Sequence, residues 1–204
     1  MKYITLMRLF NDTNTWTKLR MVSEMARLFD PLGLIGPVVV QAKILVVELW
    51  CEKIGWDTKL PDIHHKKWEG YYNHLIYVKE IRINRRVLQV SEPTDLQLHI
   101  FCDASEAAYG ACVYIKSKGR DNVISCELLC SRSRVALLKV TAIPRLELCA
   151  ALLALRLSNK ITAAVPLTFS KRVIWSDSTI ALAWIKNHQG INDNPADHAN
   201  RGLN

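Results

Sequence analysis

Apolar side chains recur along this chain with two different periods, and the change between them divides it. Residues 16–29 place Leu19, Val22, Met25, Ala26 and Phe29 at intervals of three and four, which predicts an amphipathic helix. Two prolines and two glycines in Asp30–Pro37 stop it. From Val38 to Ile54 the apolar content resumes at helical length, with Lys43, Glu48, Glu52 and Lys53 marking a solvated side. A third helix is expected over His64–Val78, so the first portion reads as all-helical.

The polar run Ser91–Asp95 is the best candidate boundary, giving a helical segment over 1–92 and a second domain over 93–204. Beyond it the period falls to two. Leu96–Asp103, Ala108–Lys116 and Val123–Ser131 predict three strands joined as an antiparallel meander, with turn residues Lys118–Asn122 between the last two. Pro144 suits the first turn of a long helix running to Ala164. Arg172–Asp177 reads as a short strand, and Thr179–Asn187 as a final helix. A long helix between the third and fourth strands lets the fourth lie parallel to the first by a right-handed crossover. The expected class is therefore α/β: a mixed sheet of three antiparallel strands plus a parallel fourth, preceded by helices.

Composition narrows the partners. The 204 residues are half apolar, enough for a full hydrophobic core, and 27 Lys and Arg against 19 Asp and Glu leave a net charge of +8. That surplus favours polyanions such as nucleic acid, although many basic proteins bind none. The six cysteines lie in apolar runs without a C-x-x-C pair, so buried reduced thiols are expected rather than zinc or redox chemistry. The N-terminus has no apolar core of signal-peptide length. Leu32–Trp50 is broken by Pro37, Lys43 and Glu48, which argues against a membrane span. An intracellular setting is expected.

Chemistry concentrates in the carboxylates. Asp103 and Asp177 each end an otherwise apolar strand, and parallel neighbours would bring them to roughly 4.8 Å strand spacing on one rim. Open sheets place ligands outside the carboxyl ends of their strands. Glu147, placed in the first turn of the long helix, is expected to lean over the same rim. Like charges this close need a counterion, and hard oxygen ligands suit two Mg²⁺ or Mn²⁺ ions roughly 3.5–4 Å apart that drive phosphodiester hydrolysis. Taken singly, each acid is more readily a turn or helix-cap residue than a metal ligand.

The order of short motifs adds to this. His99-Ile-Phe-Cys-Asp103-Ala-Ser105 with Ala108-Tyr-Gly-Ala111, then Ser131-Arg-Ser-Arg-Val135, Ile143-Pro-Arg-Leu-Glu-Leu148, Ser176-Asp-Ser178 and Asn194-Pro-Ala-Asp197 resemble the ribonuclease H region of BEL/Pao-type retrotransposon polyproteins. Upstream, Leu28-Phe-Asp-Pro-Leu-Gly-Leu34, Leu49-Trp50 and Gly55-Trp-Asp57 resemble the segment that follows the reverse-transcriptase palm there. The resemblance implies a ribonuclease H-like fold that cleaves the RNA strand of RNA–DNA hybrids, with Asp103, Glu147, Asp177 and Asp197 as metal-binding catalytic acids. It implies the reverse-transcriptase portion of a parent polyprotein as partner, and a cytoplasmic retroelement particle or the nucleus as location.

Such proteins also carry a peptidase label, but an aspartic peptidase needs an Asp-Thr-Gly or Asp-Ser-Gly loop, and this chain has neither. It also lacks the Tyr-x-Asp-Asp turn of a polymerase. Only His188-Gln-Gly-Ile-Asn-Asp193 precedes the last motif, where relatives carry a further helix and edge strand, so that strand is expected to be missing. After a final helix running about 15 Å away, six or seven residues spanning at most roughly 20–23 Å must return Asp197 to the site. A disabled nucleic-acid-binding remnant is therefore the alternative function.

Ser105, Arg132, Arg134, Lys139 and Arg145 are candidate nucleic-acid contacts, against an ordinary solvated surface. Tyr109, Trp175 and Trp184 lie in apolar segments and read as core aromatics rather than base-stacking platforms. His188 and the pair His64-His65 read as surface histidines.

Overall fold

The computed structural model describes residues 15–84, 86–90, 92–136 and 141–189. Helices α1 (Lys18–Ala26), α2 (Gly36–Cys51) and α3 (Asp62–His74), with a 3₁₀ turn over Leu75–Glu80, come first. Strands β1 (Pro93–Ala104), β2 (Ala108–Gly119) and β3 (Ile124–Val135) follow, then α4 (Ile143–Ala164), β4 (Lys171–Trp175) and α5 (Thr179–Gln189). The sheet order is β3-β2-β1-β4, with β1 antiparallel to β2, β2 antiparallel to β3, and β4 parallel to β1. This is the ribonuclease H-like mixed sheet with helices before it. Among the described residues no strand lies beyond β4, and no helix is long and apolar enough to cross a membrane.

Each helix begins where the sequence provides a start. The Thr17 hydroxyl accepts the Arg20 N–H at 3.3 Å and caps α1, and Pro37 occupies the first turn of α2, where its missing N–H costs nothing. Trp16, Met21, Ala42, Val46, Leu49, Leu60 and Trp68 form the helical core. Lys18 is buried at its edge: its ammonium lies 4.4 Å from the Trp50 ring and 5.0 Å from Trp56, and donates to the Ile54 carbonyl. Cation–π attraction and that acceptor replace the water it gives up.

His64 departs from the surface reading. It is 5 % exposed, and its Nε2 sits 2.9 Å from both carboxylate oxygens of Glu52, so a partner on the loop after α2 draws it inward. The cysteines divide as well: Cys102 and Cys130 are buried, whereas Cys51 and Cys126 are exposed, and all six are free thiols.

The sheet core lies on one face. Leu98, Ile100 and Cys102 of β1, Ala111, Val113 and Ile115 of β2, and Cys130 of β3 pack with Ala150, Leu153, Ala154 and Ile161 of α4. Period two on the strands meets three-and-four spacing on the helix. On the opposite face α2 packs against β3 through the Asp30–Gly36 turn. There Asp30 accepts the N–H groups of Leu34 and Ile35 at 2.7 and 3.0 Å, and the Leu32 carbonyl accepts the Ser131 N–H at 2.8 Å. Gly33 has φ +71°, and a Cβ on it would lie 2.0 Å from the Ser131 carbonyl oxygen. Glycine is required at that point of docking. This contact also carries β3 through Ser131-Arg-Ser-Arg, where polar alternation reads as the strand's end.

Candidate active site

Register sets the acids. Phe101 of β1 pairs with Trp175 of the parallel β4, so two steps further along each chain come Asp103 and Asp177. Both line a cleft of about 820 Å³ that also takes in Ser105, Tyr109, Phe101, Trp175, Leu34 and the start of α2 at Gly36, Pro37 and Val40. Asp103 Oδ1 accepts the Ala104 N–H at 2.7 Å. Beside Asp177, the Ser176 hydroxyl accepts the Ser178 N–H at 3.3 Å, and Ser178 Oγ accepts the Ala181 N–H at 3.1 Å, capping α5. The Ser-Asp-Ser motif is thus a strand-to-helix turn with the aspartate held outward between two structural serines.

Cys102 lies under this rim and donates to the Trp175 carbonyl at 3.3 Å. Burial pushes its thiol up, a hydrogen bond with Ser176 opposes this, and the charges of Asp103 and Asp177 add to the rise.

Glu147 stands apart. Helix α4 starts at Ile143, so Glu147 is its fifth residue, past the first turn, half-buried beside Leu146 and outside the lining of the cleft. Among the described residues no three His, Cys, Asp or Glu side chains are grouped closely enough to hold a metal ion. The structure therefore brings Asp103 and Asp177 together and leaves Glu147 aside; Asp197 and Lys139 lie outside the described residues. By donor chemistry the aspartate pair fits a hard divalent cation, supplying two carboxylates of the set it needs.

A family model for the Pao retrotransposon-like RNaseH-like domain matches residues 17–178. The chain belongs to this family. The match spans both the helical segment and the sheet, and includes Asp103, Glu147 and Asp177 but not the motif ending in Asp197. No curated protein matches the chain.

The remaining candidate residues of this Pao domain take varied positions. Ser105 closes the β1–β2 turn: its hydroxyl lies 3.1 Å from the Ala108 carbonyl and 3.2 Å from the Ala108 N–H. Arg132 and Arg134 are exposed on β3, Arg132 at the cleft, and Arg145 is exposed in the first turn of α4. Tyr109 packs against the sheet core as expected. Trp175 and Trp184 do not: they are 48 % and 42 % exposed. The missed signal is strand parity, since Trp175 shares its side of β4 with Val173 and Lys171, opposite the face that α4 covers.

Proposed function

We propose that this retrotransposon-derived, ribonuclease H-like chain hydrolyses the RNA strand of RNA–DNA hybrids with Mg²⁺ or Mn²⁺, using Asp103, Asp177, Glu147 and Asp197. The observation that carries this reading is the pair Asp103 and Asp177 at the ends of adjacent parallel strands, lining one cleft in a basic protein. Bound ions would activate water and stabilise the leaving oxygen. Asp103 and Asp177 would hold that charge at the rim, and Glu147 and Asp197 are the further acids that the family resemblance implies. Arg132, Arg134, Lys139 and Arg145 meet phosphates and keep the hybrid in register. The partners in this reading are the hybrid and the reverse-transcriptase portion of a parent polyprotein, within a cytoplasmic particle or the nucleus.

The test is cleavage of an end-labelled hybrid by the full chain in Mg²⁺ and in Mn²⁺. Metal-dependent loss of the RNA strand is expected, reduced to background by Asp103→Asn and by chelation. The separation of Glu147 from the aspartates favours one second reading, a nucleic-acid-binding remnant that no longer cuts. Hybrid binding without cleavage in either metal would select it.

A further inference from the structure

The sheet face opposite α4 carries side chains in rows set by register. Across β2, β1 and β4 the rows read Lys116, Gln97, Lys171; then Tyr114, His99, Val173; then Cys112, Phe101, Trp175. Gly110 and Asp103 follow, with Asp177 two residues beyond Trp175. Successive rows are about 7 Å apart, so a basic end lies about 20 Å from an acidic end with aromatic rings between.

The rings are ordered. Trp175 runs near-parallel to both His99 and Phe101, with 6.1 Å between centroids in each pair and interplanar angles of 15° and 12°, and Phe101 meets Tyr114 edge-on at 5.8 Å. Trp175 Nε1 donates to His99 Nδ1 at 3.1 Å, which fixes the indole although it is half exposed. Lys116 and Lys171 flank the array closely enough that, after burial, their charges hold His99 below the usual imidazole range. Asp95, beyond the basic row, is engaged by Ser170 and by Gln97 at 2.7 Å. Among the described residues the helix packed on this face is α2, which reaches β3 and leaves the rings of β1 and β4 open.

We infer that this face binds single-stranded nucleic acid, its bases stacked on Trp175, Phe101 and His99 and its phosphates met by Lys116 and Lys171. Flat exposed rings between paired cations are complementary to a chain of π-faces strung on phosphates, and stacking asks for no particular sequence. Continuity with the cleft supports the same occupant: a strand following β1 from the lysines would end at Asp103 and Asp177. The choice of nucleic acid rests in part on the function proposed above, whose substrate it extends from a hybrid to the unpaired strand beside it.

The full chain is titrated with a fluorescein-labelled oligothymidylate in chelator, so that no metal-dependent step contributes. Trp175→Ala and Phe101→Ala should each weaken binding roughly 5- to 150-fold, Trp175→Phe should retain most of it, and losing each lysine should lower the salt slope by about 0.7. Circular dichroism of every variant shows that it folds. Undiminished binding by folded Trp175→Ala overturns the proposal. So does a wild-type dimer in sedimentation that Trp175→Ala makes monomeric, since a second copy would then be the occupant. Failure of hybrid cleavage with ring-dependent binding intact removes the nuclease and leaves this site standing; cleavage with ring-independent binding does the reverse.

Discussion

On the α4 side of the sheet, Leu98, Ile100, Cys102, Ala111, Val113, Ile115 and Cys130 are each at most 8 % exposed; one residue away on the same strand, Phe101 is 45 % exposed. Both faces are built by the same alternation, and both carry large apolar side chains. What separates them is cover. Helix α4 supplies a row of Ala and Leu side chains that fills the first face, whereas α2 packs on the second mainly at β3. The covered face converts apolar area into stability at roughly 25 cal/mol per Å². The open face keeps its rings near water, and it is the one that carries the aspartates.

The contrast is broken most directly at its centre. Ile100→Ala removes a side chain with no exposure from between β2 and α4, and should cost about 2–5 kcal/mol in denaturant unfolding. A smaller loss would mean that α4 closes on the gap or that this face is less dry than its burial indicates. Next in size is the hinge between the two regions. Gly33→Ala must hold a positive φ, at about 1–2 kcal/mol, and also push its Cβ away from the Ser131 carbonyl oxygen 2.0 Å off. Destabilisation of at least about 2 kcal/mol is expected, together with faster proteolysis at the Asp30–Gly36 turn. A neutral result would show that the helical segment is not docked on β3 through this turn.

Acid-base chemistry offers a further test of the covered face. Burial, with a smaller contribution from Cys112, pushes the Cys130 thiol up from 9.0 to about 11, and burial also raises Cys102. With the folded value above the unfolded one, the unfolded chain loses its proton first as pH climbs. The stability held by the neutral thiol is therefore complete below pH 9.0 and lost as pH rises towards about 11. The melting temperature should fall across that window, and less steeply in Cys130→Ala. Equal slopes in the two proteins would remove Cys130 as a cause.

Much of this arrangement was legible in the sequence because period and punctuation carry it. Among the described residues the four strands and five helices lie close to where alternation, Pro144 and the Asp-Pro-Leu-Gly turn put them, and parallel β1 and β4 follow from the length of α4. What was not legible depends on partners far along the chain. Trp175 in Lys-Arg-Val-Ile-Trp is apolar by pattern, but whether its side of the strand is covered is decided by where α2 stops. His64 is buried because Glu52 meets it, and Lys18 because Trp50 and Trp56 do. Of the site, the two acids Asp103 and Asp177 are legible from their places at the ends of apolar strands. Glu147 lies one residue deeper in α4 than a start at Pro144 implies, because the helix begins at Ile143.

The smallest expected effect is the most informative about the open face. Phe101→Thr keeps a strand-favouring residue beside Ile100 and removes a ring that is already 45 % exposed. Fully burying a Phe is worth about 1.5–3 kcal/mol, so losing a half-buried one, with the edge contact to Tyr114 and the stack on Trp175, should cost about 1 kcal/mol. That is well under the Ile100→Ala loss measured in the same titration. If Phe101→Thr instead matched Ile100→Ala, the ring would be buried in solution, and the difference between the faces would vanish. If the cost stays small while oligonucleotide binding drops, the exposure of this face is a property the folded chain maintains because something other than protein occupies it.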